Sequence, residues 1–229
     1  MRADAEDNRR ALLEAAREVF VEEGTSVALD KIAKRAGVGI GTLYRRFPDR
    51  DALLRGVIVD IFESMTDAVR TAEAADEAAH GARPAWERLV RAVAGLGIGP
   101  ALPVIFRERL DLIDEPGVAA AMRAAVTAVE GVYQAAQDAG ELRGDVGFLE
   151  IQMLAGMLSM SRPNYPPTVD PDLLTDRLVA ILLDGLRAAP GNSALPGAAV
   201  VFSPLDPDDR AAVERAIAEE NERIGKRRG

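Results

Sequence analysis

The sequence of 229 residues contains no cysteine and a single histidine, His80. Without cysteine the chain can form no disulfide, no zinc–thiolate or iron–sulfur site and no cysteine nucleophile. One histidine, placed in a run of small residues, disfavours both a two-histidine metal site and a Ser/His/Asp catalytic relay. These absences speak against most enzyme chemistry, so we expect no catalytic activity, no metal and no cofactor.

Long hydrophobic segments are also lacking. Hydrophobic residues make up 48% of the chain and charged residues 28%. No apolar run reaches the roughly 18 residues that suggest a membrane-spanning helix. The N-terminus leads directly into a charged helical pattern without the apolar core of a signal peptide. We therefore expect a globular, cytoplasmic protein with no membrane partner.

Positive charge is scarce overall, since the net charge is −9. The phosphates of nucleic acid repel an acidic protein and attract clustered lysine and arginine. Residues 28–50 differ from the rest, because they hold six basic and two acidic side chains. The sequence thus carries one short basic segment on an acidic body, and nucleic-acid binding is expected there.

Helical periodicity, by contrast, is abundant. Apolar residues recur three and four positions apart, and alternating strand patterns are nearly absent. With the glycine and proline breaks, this periodicity predicts an all-α chain with helices at 8–23, 29–36, 41–46, 49–72, 84–95, 101–113, 116–139, 146–161 and 171–188.

The tail has its own pattern. Residues 198–202 suggest a short extended segment, and Asp206 with Pro207 would begin a further helix that reaches Ile224. Such a helix would either pack on the body or reach a partner subunit as an arm.

The two short predicted helices on either side of Gly37 form a helix-turn-helix pattern. Glycine lets the chain reverse without a β-carbon clash, and the second helix would enter the DNA major groove. Because that helix is too short to be stable alone, Val38, Leu43 and Phe47 are expected to anchor it. The residues left facing outward are Ile40, Gly41, Thr42, Tyr44, Arg45 and Arg46.

The segments IA, AGV and GTLYRRF, followed by Arg50 and Leu53, resemble the DNA-binding domain of the TetR family of transcriptional repressors. The resemblance is strong over residues 8–55, and after them it rests on length and helicity. It implies DNA binding through Lys31, Ile40, Gly41, Thr42, Tyr44, Arg45, Arg46 and Arg50.

The roles within this set differ. By resemblance, Thr42 and Tyr44 contact phosphate or bases, while Ile40 and Gly41 face base edges. Arg46 stands where histidine is more usual in the family, and Arg50 stands where lysine is usual. Lys31 and Arg45 would add an electrostatic face or peripheral phosphate contacts.

Three positions depart from the family pattern. Ala28 and Gly39 stand where serine or threonine commonly caps the second helix and serine caps the third. Asp30 stands where a base-reading polar or basic side chain can lie, and its charge favours the helix N-terminus instead. Base reading by the second helix is therefore not expected to follow the family pattern.

The resemblance also implies a domain organisation and a function. We expect a helix-turn-helix DNA-binding domain at 1–50, a helical ligand-binding and dimerisation domain at 51–190, and an extension with one helix at 191–229. The chain would bind a palindromic DNA operator as a homodimeric repressor and be released by a small-molecule effector. The alternative is a helix-turn-helix protein without an effector, and the choice between repression and activation stays open.

An enzyme is the third alternative. Glu108, Asp111 and Asp114 lie near Arg107 and Arg109, a cluster that acid/base catalysis could use. Charged residues at helical spacing more commonly form a solvated face. We therefore expect this cluster to be non-catalytic.

Two further sites are expected in the second domain. The last two helices of the bundle are apolar nearly all round, which predicts a dimer interface that includes Phe148, Ile151, Leu158, Leu178 and Leu182. Large side chains in otherwise alanine-rich helices predict a mainly apolar effector pocket formed by Trp86, Phe106, Met122 and Tyr133. Its ligand would be uncharged or weakly anionic.

Overall fold

The computed structural model describes residues 2–78, 83–158 and 170–199, together with isolated residues between 209 and 219. Within these ranges the chain is all-α, as predicted, and a single isolated bridge joins Leu142 to Arg187. The helices are α1 (Arg2–Glu23), α2 (Leu29–Arg35), α3 (Ile40–Arg46), α4 (Arg50–Ala78), α5 (Ala85–Gly95), α6 (Ala101–Arg109), α7 (Pro116–Asp138), α8 (Phe148–Leu158) and α9 (Pro171–Leu186), with a 3₁₀ turn at Leu110–Asp114.

Some predicted boundaries differ from the observed ones. Helix α1 begins at Arg2 instead of residue 8, and α4 continues to Ala78 instead of residue 72. Solvated helical turns carry no apolar stripe, so periodicity underestimates their length. The segment predicted as one helix at 101–113 is divided at Arg109, whose backbone angles of −139° and 55° leave the helical region. His80, the segment 159–161 and most of the tail helix predicted at 206–224 lie outside the described residues.

The first three helices form a compact head. Gly37 adopts a φ of 69° between α2 and α3, a left-handed conformation that costs glycine little. The amide of Val38 donates to the carbonyl of Ala33, which closes the turn. Leu43 of α3 and Phe47 just after it are buried in the common core. These contacts hold a seven-residue helix that would not persist alone.

The body is the bundle of helices from α4 to α9, and α4 also packs against the head. It contacts α1 at one side and packs along α5 and α7 at the other. Near its start Gly56 lies against Phe47 and Leu13, where a β-carbon would come within 2.8 Å and 3.3 Å of their side chains. One continuous hydrophobic core therefore extends from the head into the body.

Helix α5 lies at the centre of the body and contacts most of its other helices. This helix packs between α4, α8 and α9, while α6 lies against α1. Gly99, in the connection before α6, touches the backbone of Gly156 in α8, so this wall of the body depends on the absence of a side chain. No helix in the described ranges is long and apolar enough to cross a bilayer.

The contact between Gly99 and Gly156 yields a stability prediction. Gly99→Ala should lower the free energy of unfolding by about 1–3 kcal/mol, because overpacking forces backbone shifts. Its β-carbon would lie 2.8 Å from the carbonyl oxygen of Gly156, against backbone that cannot rotate away. Gly131→Ala is the matched control, since Gly131 lies inside α7 with nothing within 4 Å of the added carbon.

In the control, alanine should raise the free energy of unfolding by about 0.5–1 kcal/mol through helix propensity. Urea unfolding of both variants measures the two effects. Equal effects on stability would show that the two backbones are not in tight contact.

Candidate nucleic-acid interface and ligand cavity

Helix α3 presents one face to solvent. Ile40 and Tyr44, one helical turn apart, are 41% and 51% exposed although both are large and apolar in part. The predicted outward residues Gly41, Arg45 and Arg46 are also exposed, and Thr42 is half-buried. The structure thus brings this part of the predicted DNA-binding set onto a single surface.

The cations of α2 face the carboxylates of α1. Lys31 Nζ lies 2.5 Å from Glu23, and Arg35 lies 2.9 Å from Glu18 and 2.7 Å from Glu22. The hydrogen bonds with these carboxylates raise the pKa of Lys31 and of Arg35 and lower the pKa of Glu22. The basic balance of residues 28–50 therefore overstates the unpaired positive charge of this segment, since Lys31 and Arg35 are paired with carboxylates of α1.

Arg50 occupies the junction between head and body. It begins α4, is half-buried, and donates from Nη1 to the carbonyl oxygen of Thr25 in the loop before α2. The Thr25 hydroxyl in turn donates to Glu108 near the end of α6. The predicted DNA-binding residue Arg50 therefore also fixes the start of α4 against the head.

Arg109 makes a second connection across the same junction. Its guanidinium bonds bidentately to Asp51 at the start of α4 and lies 2.9 Å from Asp111. The donated hydrogen bonds hold the pKa of Asp51 and of Asp111 below the usual range. A depressed carboxylate pKa keeps the ion pair charged until the pH falls through that lowered value. The charged cluster at 107–114 thus joins α6 to α4.

An apolar cavity of about 300 Å³ lies between α4, α5, α6, α7 and α8. Among the described residues that line it, Gln152 supplies the only polar side chain. The lining consists of Ile61, Phe62, Met65, Val93, Ile98, Gly99, Leu102, Pro103, Phe106, Leu110, Ile113, Met122, Val126, Phe148, Leu149 and Gln152.

Only two of the four residues expected in an effector pocket line this cavity. Phe106 and Met122 line the cavity, whereas Trp86 and Tyr133 are buried outside its lining. The Tyr133 hydroxyl donates to Gln152 Oε1 at 3.2 Å, and burial raises the pKa of Tyr133. Sequence reasoning missed Gln152, because α8 was assigned to the dimer interface and nothing in its spacing singles out this amide.

The outer surface of α8 and α9 is unusually apolar. Met157 and Ile181 are 62% and 65% exposed, and Met153, Leu154, Leu173 and Leu178 are exposed beside them. Of the expected interface residues, Leu178 lies on this surface, Phe148, Leu158 and Leu182 are half-buried, and Ile151 is fully buried within the chain itself.

Metal ligation has no candidate in the described part of the chain. No group of three or more histidine, cysteine, aspartate or glutamate side chains is arranged there to hold a metal ion. The acidic side chains around Arg109 bond to arginine and threonine instead.

Comparison with known proteins agrees with this arrangement. Residues 12–57 match the family model of bacterial regulatory proteins of the tetR family. Residues 101–188 match the C-terminal domain of SbtR-like transcriptional regulators. An HTH-type transcriptional regulator of Staphylococcus aureus strain USA300 is 46% identical over 66 residues, which cover 27% of this chain and 36% of that protein. The chain therefore matches only about a third of the length of such curated relatives.

Solved structures extend the likeness to most of the chain. A TetR transcription regulatory protein from Mycobacterium vanbaalenii is 32% identical, covers 81% of this chain and 98% of its own, and has a TM-score of 0.53. A regulatory protein in the tetR family from Rhodococcus RHA1 shares the fold at 20% identity, with 80% and 98% coverage and a TM-score of 0.53. With the exposed α3 and the head that holds it, these matches show that the chain belongs to the TetR family of DNA-binding transcriptional regulators.

Proposed function

We propose that the chain is a homodimeric repressor of a palindromic operator and that a small, largely apolar effector releases it from DNA. The observation that carries this proposal is the double role of α4. Its first residues, Arg50 and Asp51, are tied to the head and to α6, and its middle lines the cavity with Ile61, Phe62 and Met65. A ligand in the cavity thus touches the helix that positions α3.

DNA reading is assigned to α3. Its exposed residues Ile40, Tyr44 and Arg45 combine an apolar contact for a thymine methyl with donors for phosphate. Lys31 is already paired with Glu23, so it contributes less to phosphate binding than its charge suggests. The phosphate donors that we propose are Tyr44, Arg45, Arg46 and Arg50, and Ile40, Gly41 and Thr42 approach the bases.

Dimerisation is assigned to the exposed apolar surface of α8 and α9. Large apolar side chains such as Met157 and Ile181 gain free energy when a second copy removes them from water. A two-fold axis places the same surface of both copies in contact and matches the symmetry of a palindrome. The two α3 helices must then lie about 34–36 Å apart to enter successive major grooves.

We propose that the effector releases the protein from DNA because it binds more tightly to one of two spacings between the heads of the two subunits. A ligand lowers operator affinity only as far as it binds better to the spacing that DNA does not accept. The cavity wall includes Phe106 and Leu110, which flank Arg109 in the chain. We propose that a displacement of this wall also displaces the start of α4, because Arg109 at the end of α6 bonds to Asp51.

The reading surface is tested by Arg45→Ala. Loss of a phosphate contact should weaken specific and non-specific DNA binding alike and reduce the salt slope by about one unit per protomer. Tyr44→Phe should weaken binding without changing the slope, because it removes a hydrogen bond and no charge. Arg123→Ala, an exposed change on α7, is the control.

Fluorescence anisotropy with labelled duplex over a range of salt concentrations measures affinity and slope. Equal slopes for Arg45→Ala and Arg123→Ala would place the phosphate contacts elsewhere.

The dimer surface is tested by Ile181→Glu. This side chain is 65% exposed in a single chain, so the charge should dissociate the dimer without disturbing the core of either copy. Thr127→Glu places the same charge on the exposed side of α7 and should leave the dimer intact. Light scattering gives the mass of each variant, and a dimeric Ile181→Glu protein would refute this interface.

The link between cavity and head is tested without a ligand by Leu102→Trp. The larger side chain should fill part of the cavity and imitate an effector, lowering operator affinity within the ~5–150-fold range of typical coupling. Adding Arg109→Gln should restore most of that affinity, since it breaks the bond to Asp51. Arg107→Gln, an equal loss of charge at an exposed neighbour, should restore none.

Each variant is compared by melting temperature and by operator binding. Cavity filling commonly leaves stability equal or higher, so a folded Leu102→Trp protein with unchanged operator affinity would disprove the coupling.

A further inference from the structure

We propose that the effector is a neutral, mainly apolar molecule of about a dozen heavy atoms that carries one hydrogen-bond acceptor, such as a ketone or ester carbonyl, and that the amide nitrogen of Gln152 binds this acceptor. The inference rests on the proposed effector function of the cavity. It concerns the chemical class of ligand, which the likeness to other regulators leaves undetermined.

Size sets the first limit. An apolar cavity of ~150 Å³ takes one benzene molecule. The cavity here is about 300 Å³, twice that volume. Roughly twelve ligand heavy atoms therefore fit within it.

The described residues of the lining offer no oppositely charged partner to a charged group of the ligand. None of the described lining residues is acidic or basic, and Gln152 is the only polar side chain among them. A carboxylate or ammonium group buried without a partner costs several kcal/mol even after relaxation of the surroundings. The weakly anionic ligand that composition left open therefore does not suit this cavity.

Gln152 determines which polar atom the ligand carries. Its Oε1 accepts from the Tyr133 hydroxyl at 3.2 Å, an orientation that leaves the amide nitrogen available to another partner. The described part of the chain supplies no acceptor for its Nε2 group. Because an amide nitrogen only donates, the complementary ligand atom is an acceptor.

The hydrogen bond from Tyr133 also favours this orientation of the Gln152 amide. Tyr133 is buried, and its hydroxyl donates to Gln152. Tyr133 thus acts as a positioning residue outside the cavity lining. It keeps the amide from turning its oxygen toward the ligand.

Benzylacetone, butylbenzene and hydrocinnamate form a suitable set of probes for the full chain. They share a phenyl ring and a short chain, and they end in a ketone, a hydrocarbon and a carboxylate. Benzylacetone should bind up to about tenfold more tightly than butylbenzene, as expected for one net hydrogen bond. Hydrocinnamate should bind at least about tenfold more weakly than benzylacetone, because its charge has no partner.

Gln152→Leu removes the donor and keeps the volume similar. It should abolish the preference for benzylacetone over butylbenzene while butylbenzene still binds, which shows that the cavity remains folded. Gln134→Leu is the matched control, since Gln134 is exposed on α7 and bonds to Asp138 outside the cavity. That variant should keep the preference of the unmodified chain.

Tyr133→Phe separates the positioning role from packing. Without the hydroxyl, the Gln152 amide is free to turn, so the preference for the ketone should fall while binding of butylbenzene stays the same. An unchanged ketone preference in Tyr133→Phe would contradict the positioning role of this residue.

Melting-temperature shifts measure binding, because a ligand that binds only the folded state stabilises it by mass action. The proposal is overturned if hydrocinnamate binds as tightly as benzylacetone, if benzylacetone fails to bind, or if Gln152→Leu retains the ketone preference. Operator release is recorded separately with labelled duplex. Benzylacetone that binds in the expected order without releasing DNA would sustain the ligand class and refute effector release.

Conversely, release of the operator by hydrocinnamate, with no binding of the neutral probes, would sustain effector release and refute the ligand class.

Discussion

Helix α4 packs in two places at once, and the head, the cavity and their connection all depend on this packing. Near its start it lies against Phe47 and Leu13 of the head, and further along Ile61 and Met65 line the cavity. An α-helix closes its backbone hydrogen bonds locally, so α4 runs without a break from one region to the other. The head that carries α3 is thereby joined to the cavity by one continuous helix.

Several charged side chains of this protein pair with one another between helices and are not free to contact DNA. Two of the cations on α2 bond to carboxylates of α1, and Arg109 joins α6 to the start of α4. Exposed ion pairs contribute little stability, typically less than about 1 kcal/mol. The buried residues Leu29, Ile32 and Ala33 hold α2 in the core, and the ion pairs match the charges of the helices that they join. The exposed cations of α3 itself are Arg45 and Arg46.

The body shows why a cavity and a packed core look alike in a sequence. Phe106 and Trp86 both lie on apolar stripes of consecutive helices, and both were expected in the pocket. Phe106 lines the cavity and Trp86 is buried outside it. A stripe tells which face of a helix turns inward, but empty space depends on whether several helices meet closely. Gly99 and Gly156 bring two of the walls together at one such point.

Local chemistry in the sequence determined the all-α architecture, most helix positions and the head, because apolar spacing and turn residues act within a few positions of the chain. The motif around GTLYRRF determined which residues α3 presents, since Leu43 and Phe47 had to turn inward. Only the tertiary structure decided that Asp51 bonds to Arg109, fifty-eight residues away, and that Gln152 is among the residues that line the cavity. It also decided that Ile151 is internal while Met157 and Ile181 are exposed. These outcomes depend on the distances between helices that are remote in sequence, and no local pattern encodes those distances.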